Sequence, residues 1–158
     1  MLLVSVALWV GCAAEPADRP SEPAQPFDLE RAKGGRIRLA DLEGKLVVLD
    51  FWATWCPPCV MEVPELNAFH AEHQGSGVEL LAIAIDGEDR GLLEAWLDEH
   101  GVAYPVAIGD EELARQYGAD AFPFHVLISR DGRVLERLEP GYHDRSELRA
   151  LIERHAES

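Results

Sequence analysis

The stretch from residue 46 to residue 64 reads LVVLDFWATWCPPCVMEVP. Its first seven residues are apolar, β-branched or aromatic apart from Asp50, which is typical of a central strand covered on both faces. After the second cysteine, apolar residues recur at helical spacing at Val60, Val63, Leu66 and Phe69. The stretch therefore predicts a buried strand that leads into a helix, with Cys56 and Cys59 at the junction.

The pattern on both sides of this stretch alternates between strands and helices. Before it, residues 27–29 and 36–39 alternate apolar and polar side chains around two glycines, which predicts a half-exposed hairpin. After it, we expect strands at 78–85, 104–108, 126–129 and 134–138, and helices at 90–100, 111–117 and 145–155. This order indicates an α/β sandwich whose sheet is parallel at its centre and antiparallel at one edge.

The composition suits one acidic, globular domain. The chain has 158 residues, 47% of them hydrophobic, which is enough for one core of its own. Its 29 acidic residues against 14 basic residues give a formal net charge of -15. Because such a charge repels phosphate backbones, it argues against nucleic acid as a partner. We interpret the acidity mainly as a source of solubility.

The N-terminus carries a largely apolar run that ends at Val10 and is followed by Gly11 and Cys12. The run is too short to span a bilayer but suits the core of an export signal, although no basic residue precedes it. Gly-Cys at this place resembles the lipobox of bacterial lipoproteins, apart from Trp9, where that motif usually has Leu. We expect residues 1–12 to be a signal with lipid attached to Cys12; a free exported protein and an unprocessed N-terminus are the alternatives.

Residues 13–26 form a proline-rich segment without any aliphatic side chain larger than that of alanine. Such a segment cannot bury enough apolar surface to fold. We therefore expect a disordered tether, which would reach roughly 40 Å if it were extended at about 3.1 Å per residue. The folded domain is then predicted to span residues 27–158.

The two cysteines at the strand–helix junction suit redox chemistry. Cys56 is predicted at the N-cap, where unpaired backbone N–H groups and the helix dipole lower the pKa of a thiol. Pro57 suits the first helical position, whereas Pro58 removes one N–H that could reach the Cys56 sulfur. Because a moderately stabilised thiolate gives a low reduction potential, we expect the pair to donate electrons, with Cys56 as the attacking sulfur.

Two carboxylates are placed to accept the proton of Cys59 when that thiol attacks. Asp50 lies within the buried strand, where burial raises the pKa of a carboxylate towards that of a thiol. Glu62 follows Cys59 by three residues and projects from the same helical face. Two plainer interpretations stay open: Asp50 as a core carboxylate bonded to backbone N–H groups, and Glu62 as ordinary helix surface.

The segment LVVLDFWATWCPPCVMEVPEL resembles the active-site segment of thioredoxin-fold thiol-disulfide oxidoreductases of the TlpA and ResA type, whose domain is redoxin-like, of the AhpC/TSA kind. The resemblance covers residues 27–155. It implies a thioredoxin-like fold: a central mixed β-sheet flanked by helices, with an N-terminal β-hairpin and an inserted helix before the cis-proline strand. It also implies that Cys56 attacks, that Cys59 resolves, and that Asp50 and Glu62 assist proton transfer. The proline that kinks the helix in this family corresponds to Pro64.

Residues 121–124, Ala-Phe-Pro-Phe, resemble the cis-proline loop that faces the cysteines in this family. Pro123 would be the cis residue, and the backbone of Phe122 would pair with the client chain. The residues expected to bind clients are Trp55, Pro57, Phe122 and Pro123.

This chain departs from the family pattern directly after the loop. Phe124 and His125 stand where the family commonly has threonines. The departure affects client preference more than activity, since Phe122 and Phe124 could form an apolar rim or one of them could be core. We interpret His125 as a packed or surface histidine rather than as a proton relay.

The function implied by the resemblance is reduction of disulfides in exported client proteins, as in cytochrome c maturation. A membrane thiol donor would re-reduce the cysteine pair. We expect a monomer, tethered outside the cytoplasm by lipid, with no metal and no organic cofactor. A disulfide oxidase or isomerase, or a client-binding holdase, remains open on the same fold.

Three other functions are disfavoured. A structural zinc site would use Cys56, Cys59, His70 and His73. One helix would then carry the histidines about 15 Å beyond the cysteines, too far for one ion. A peroxidase of the peroxiredoxin type needs a proline and a threonine or serine upstream of its cysteine, where this chain has Leu49 and Ala53. A purely structural disulfide would close too short a loop to constrain the unfolded chain much.

Overall fold

The structure, a computed structural model, describes residues 21–157. The strands are β1 (Asp28–Arg31), β2 (Arg36–Arg38), β3 (Leu46–Trp52), β4 (Val78–Ala84), β5 (Val106–Ile108), β6 (Phe124–Ile128) and β7 (Val134–Arg137). The helices are α1 (Pro57–His73), α2 (Arg90–Glu99), α3 (Glu111–Gln116) and α4 (Arg145–Arg154). The predicted elements are present with ends that differ by a few residues, and an unpredicted 3-10 turn covers Leu39–Leu42.

The seven strands form one mixed sheet in the order β2-β1-β5-β4-β3-β6-β7. β3, β4 and β5 run parallel, β6 and β7 continue the sheet antiparallel on one side, and β1 pairs antiparallel with β5 on the other. The prediction of a single antiparallel edge was therefore wrong. A hairpin pattern shows that β1 and β2 pair with each other, but not that β1 then completes the edge beside β5.

The two faces of β3 pack against different helices. Every residue of β3 is buried, and successive side chains of a strand point to opposite faces. Phe51 packs against Tyr117 at the end of α3, with ring centroids 5.3 Å apart. Trp52 packs against Trp96 of α2 at 4.8 Å. Asp50 is two residues before Trp52 and shares its face of the sheet.

The residue that caps the N-terminus of α1 differs in type from those that cap the other helices. α2, α3 and α4 begin at Asp89, Asp110 and Asp144, whose side chains accept the backbone N–H three residues later. α1 begins instead at Cys56, whose sulfur accepts the N–H of Cys59. The redox pair thus takes the place that an aspartate holds in the other three described helices.

The predicted tether, residues 13–26, ends earlier than the sequence indicated. Residues 21–26 lie against the β6–β7 hairpin: the N–H of Ala24 donates to the carbonyl of Gly132 at 2.9 Å, and Ala24 is buried. Backbone pairing of this kind needs no large apolar side chain, which is why composition did not indicate it. Residues 1–20, with the predicted signal and the rest of the tether, lie outside the described residues. Within residues 21–157, the structure contains no helix with the length and hydropathy of a bilayer span.

Candidate active site

Cys56 and Cys59 form a disulfide at the first turn of α1. The N–H of Cys59 points to the Cys56 sulfur at 3.3 Å. In this disulfide form the two residues are only 3% and 4% exposed, whereas the neighbouring Pro57 is exposed. The arrangement places the sulfurs at the positive end of the helix dipole, as the N-cap prediction required.

A carboxylate just after the neighbouring strand holds the turn between β3 and α1. Thr54 donates its backbone N–H to both oxygens of Asp86, at 3.2 and 3.0 Å, and its hydroxyl donates to Oδ2 at 2.6 Å. Asp86 follows β4, which runs parallel to β3, so the two strands end at the same edge of the sheet. We call Thr54 and Asp86 the turn clamp. Sequence analysis missed it because the pairing joins residues far apart in the chain.

The loop before β6 lies beside the residue that precedes the cysteines. The peptide bond between Phe122 and Pro123 is cis, as the resemblance implied. The ring of Phe122 meets the ring of Trp55 edge-on, with centroids 6.3 Å apart, and Trp55 is 63% exposed. Phe124 is buried in the core, so of the two phenylalanines it is Phe122 that lies at the rim.

A second group of polar side chains is enclosed within the domain. Asp50 of β3, Glu62 of α1 and His125 of β6 are each at most 2% exposed. Asp50 and His125 are direct cross-strand partners in the β3–β6 ladder. The Nε2 atom of His125 lies 3.6 Å from Asp50 Oδ1 and 3.4 Å from Glu62 Oε2. We call these three residues the buried cluster.

Most of the polar side-chain atoms of the buried cluster that face one another make no hydrogen bond. Asp50 Oδ1, Glu62 Oε2 and both ring nitrogens of His125 have no hydrogen-bond partner among residues 21–157. Glu62 Oε1 accepts the backbone N–H of His143 at 2.7 Å. Neither plainer interpretation is therefore supported: Asp50 Oδ1 accepts no backbone N–H, and Glu62 is inside the protein rather than on the helix surface.

The enclosure of the cluster shifts the pKa of each member. Burial raises the pKa of Asp50 to about 7, a shift that His125 opposes and Glu62 adds to. Burial also raises the pKa of Glu62 to about 8, partly offset by the hydrogen bond from His143. Burial lowers the pKa of His125 below its usual value, although Asp50 opposes this. Carboxylic acids with a pKa near neutrality are suited to exchange protons with a thiol.

The structure shows His125 as the packed histidine of the two alternatives, since it is fully buried. The sequence did not show that it lies between two carboxylates. The departure from threonine directly after the cis-proline loop was the available signal. Recognising its meaning required the pairing of Asp50 with His125, which a single sequence does not show.

Two sets of side chains bear on metal binding. The ligand atoms of the buried cluster lie within 4.8 Å of one another, close enough to hold a cation. The array of Cys56, Cys59, His70 and His73 is not assembled. Its cysteines are bonded to each other at the start of α1, whereas its histidines lie in the last turn of that helix.

Comparison with known proteins identifies the family. The sequence model of the AhpC/TSA family matches residues 20–137. The chain belongs to this family. The thiol-disulfide oxidoreductase ResA of Bacillus anthracis is 35% identical over 116 residues, which cover 73% of this chain and 66% of that protein. The chain thus spans about two thirds of the length of this relative.

Solved structures of similar proteins confirm the predicted thioredoxin-like fold. A putative thiol:disulfide interchange protein DsbE from Chlorobium tepidum superimposes with a TM-score of 0.74 at 29% identity, covering 86% of this chain and 94% of that one. An exposed lipoprotein thioredoxin from Streptococcus pneumoniae gives 0.71 at 25% identity, covering 82% and 99%. The relatives carry the names of thiol-disulfide enzymes, and a thioredoxin-like domain with a Cys-x-x-Cys pair fits a protein-disulfide oxidoreductase.

Proposed function

We propose that this protein is an extracytoplasmic thiol-disulfide oxidoreductase that reduces disulfides in client proteins. The observation that carries the proposal is the Cys56–Cys59 disulfide at the N-terminus of α1. The buried carboxylates Asp50 and Glu62 support it, since the resolving thiol must lose a proton. The names of the relatives agree with the chemistry.

The reaction transfers two electrons to the client. The Cys56 thiolate attacks a client disulfide, so that a mixed disulfide forms and one client sulfur leaves as a thiolate and takes up a proton. Cys59 then gives its proton to Asp50 or Glu62 and attacks the Cys56 sulfur. The Cys56–Cys59 disulfide forms, the second client thiolate leaves, and the client ends as a dithiol. A dithiol protein in the membrane restores the pair by the reverse exchange.

The surface around the cysteines suits an extended, partly apolar client. Trp55 and Met61 are 63% and 67% exposed, and Phe122 meets Trp55 at the rim. The backbone of Phe122 would pair with the client chain, while Trp55 and Pro57 contact the residues on either side of the client cysteine. Pro123 is buried and contributes by shaping the loop.

Reduction is the favoured direction because few donors face the Cys56 sulfur. Pro57 and Pro58 have no N–H, so the bond from Cys59 is the one supplied by the first turn. A weakly stabilised thiolate lowers the reduction potential. An apocytochrome c is one client that such a reductant could reduce. The exposed apolar rim is equally compatible with an oxidase, an isomerase or a holdase.

Equilibration with defined thiol buffers, read by alkylation of Cys56 and Cys59, tests the direction. A potential near or below about -230 mV supports a reductase, and a value of about -120 to -180 mV would assign the protein to oxidants and isomerases. Pro58→Ala is the matched variant, because it restores one N–H at the helix start. It is expected to raise the potential by roughly 10–30 mV, given that 30 mV corresponds to about 1.4 kcal/mol.

The location rests on the N-terminal sequence. We propose that residues 1–12 are a lipoprotein signal, that Cys12 carries lipid, and that a short tether leads to a monomeric domain beginning near residue 21. The relative from Streptococcus pneumoniae is named a lipoprotein. Fatty-acid labelling of the native protein tests this, with Cys12→Ser as the control that should lose the label and leave the membrane fraction. An unmodified Met1 in the native protein's mass spectrum would contradict it.

A further inference from the structure

His125 occupies the centre of the buried cluster. Its Nε2 atom faces a carboxylate oxygen on each side, at 3.6 Å for Asp50 and 3.4 Å for Glu62. The strand pairing sets the first contact, since Asp50 and His125 are opposite each other in the β3–β6 ladder. The bond from the His143 N–H to Oε1 of Glu62 leaves the other oxygen, Oε2, turned towards His125. One nitrogen is therefore shared between two acids.

The two acids cannot both be ionised in this enclosure without a compensating charge. Like charges a few ångströms apart in a low-dielectric site raise the proton affinity of one partner. A neutral imidazole carries one N–H, which from Nε2 can donate to one carboxylate and stabilise its ionised form. The other acid then keeps its proton. Within the described part of the chain, neither Asp50 Oδ1 nor Glu62 Oε2 accepts a hydrogen bond, and Nε2 of His125 lies just beyond the usual hydrogen-bonding distance of both, at 3.6 and 3.4 Å.

Groups on three further segments face the cluster. Burial raises the pKa of Tyr104, before β5, and Asp50 and Glu62 raise it further, so Tyr104 is a neutral neighbour. The His143 ring, before α4, meets His125 edge-on with centroids 5.4 Å apart. His143 Nδ1 lies 3.5 Å from Oε2 of Glu147 on α4, whose side chain is 54% exposed. These last groups lead from the cluster towards solvent, where a proton can be returned.

We propose that His125 is a positioning residue that shares a proton with Asp50 and Glu62 and thereby keeps one carboxylate ionised, ready to take the proton of Cys59. The inference rests on the proposed function and deepens it. During resolution, Cys59 loses its proton to the ionised carboxylate, the Cys59 sulfur bonds to Cys56, and the client thiolate leaves. In the disulfide form Nε2 of His125 lies 3.6 and 3.4 Å from the two acids without a hydrogen bond to either, so the ring closes on one of them as that acid ionises, and it does not touch the client.

Removing the imidazole should leave both acids protonated to a higher pH. His125→Asn removes the titrating ring and His125→Thr introduces the residue that related proteins commonly carry. Both are expected to move the acidic limb of the resolution rate upward by about one pH unit, which is roughly tenfold at pH 7 and little at pH 9. His70→Gln is the matched control, since His70 lies on α1 outside the cluster and contacts Gln74. It should reproduce the wild-type profile.

Rapid mixing of the reduced protein with dithiobis(nitrobenzoate) measures the step without a client. The first thionitrobenzoate release reports attack by Cys56, and the second reports resolution by Cys59. A shift of the second phase alone supports the proposal. An unchanged second phase, or an equal loss at every pH, would overturn it. Absence of any second phase in the wild type would instead contradict the proposed function.

Two measurements on the wild-type protein keep the test independent of variant folding. The ring resonances of His125 should move in NMR at the pH where the Asp50 and Glu62 carboxyl carbons titrate. Independent titration would overturn the proposal. The same three side chains could ligate a cation, so the purified protein is also dialysed against zinc and analysed for bound metal. Less than 0.1 equivalent on the disulfide form supports proton sharing, whereas one equivalent on that form, in which Cys56 and Cys59 are bonded to each other, would make the cluster a metal site and overturn it.

Discussion

Asp50 lies in β3 and Asp86 lies just after the neighbouring parallel strand β4, and the two carboxylates have opposite surroundings. Asp86 accepts three hydrogen bonds from Thr54 and holds the turn that leads to the cysteines. Asp50 is 1% exposed, and its Oδ1 has no hydrogen-bond partner in the described part of the chain. Buried polar atoms are normally bonded, and a buried group left unpaired destabilises the fold. The contrast separates a carboxylate that builds the scaffold from one for which we propose a role in proton transfer.

The largest expected effect concerns Cys59, the thiol whose proton we propose the buried cluster accepts. Cys59→Ser should lower multiple-turnover reduction of a disulfide client by at least about a thousandfold, because the mixed disulfide on Cys56 can no longer be resolved. The variant should instead hold the client covalently, which a non-reducing gel with mass spectrometry detects.

Cys56→Ser is the matched control for that experiment and should hold no client. If Cys59→Ser kept a tenth or more of the activity, Asp50 and Glu62 would have no resolving thiol to serve. Asp50 and Asp86 would then differ in their hydrogen bonds but not in a role in proton transfer.

The second effect is on stability and depends on pH. Because burial raises the pKa of Asp50 to about 7, the folded state binds more protons than the unfolded state between about pH 4 and pH 7, and stability falls as pH rises through that window. Asp50→Asn removes this titration. Its stability relative to wild type should therefore increase from pH 4 to pH 9, by on the order of 2–4 kcal/mol.

Urea unfolding of the disulfide form at a series of pH values measures the difference. Glu62→Gln should behave similarly, with the window extending to about pH 8. A difference between Asp50→Asn and wild type that stayed constant from pH 4 to pH 9 would show that Asp50 titrates like an exposed acid.

Much of the fold was predictable because its signals are local. The apolar run of β3, the helical spacing after the cysteines and the two strands predicted at 126–129 and 134–138 each occupy a short segment, and the structure has the corresponding elements. Asp50 and Glu62 were chosen for a strand and a helix face that local periodicity defines.

What could not be predicted depends on contacts between distant segments. His125 meets Asp50 through a ladder between residues 75 positions apart, and Thr54 meets Asp86 across neighbouring strands. The packing of residues 21–26 on the β6–β7 hairpin is also long-range. Composition and periodicity carry no information on such pairings, so the cysteines and acids were accessible from sequence and the histidine between the acids was not.

The third effect tests whether Asp86 stabilises the fold through its bonds to Thr54. Asp86→Ala leaves the N–H and hydroxyl of Thr54 without their acceptor. It should destabilise the protein by about 2–3 kcal/mol, the range for lost hydrogen bonds to a charged group. Whereas Asp50→Asn is expected to gain stability relative to wild type as the pH rises from 4 to 7, Asp86→Ala should be less stable than wild type at pH 7, measured by the same urea series. A stabilised Asp86→Ala protein would remove the distinction between the two aspartates.

The smallest effect isolates a single bond of the turn clamp. Thr54→Val keeps the shape and the branched side chain and removes the hydroxyl that donates to Asp86 at 2.6 Å, so a loss of about 1 kcal/mol is expected. The backbone N–H of Thr54 still reaches both oxygens of Asp86, and the turn should persist with an unchanged Cys56–Cys59 potential. In the double variant, Thr54→Val should cause no further loss of unfolding free energy beyond that of Asp86→Ala, because the acceptor of the hydroxyl is already gone. Full additivity would show that the bond contributes no net stability. The turn clamp would then depend only on the bonds from the backbone N–H of Thr54 to Asp86.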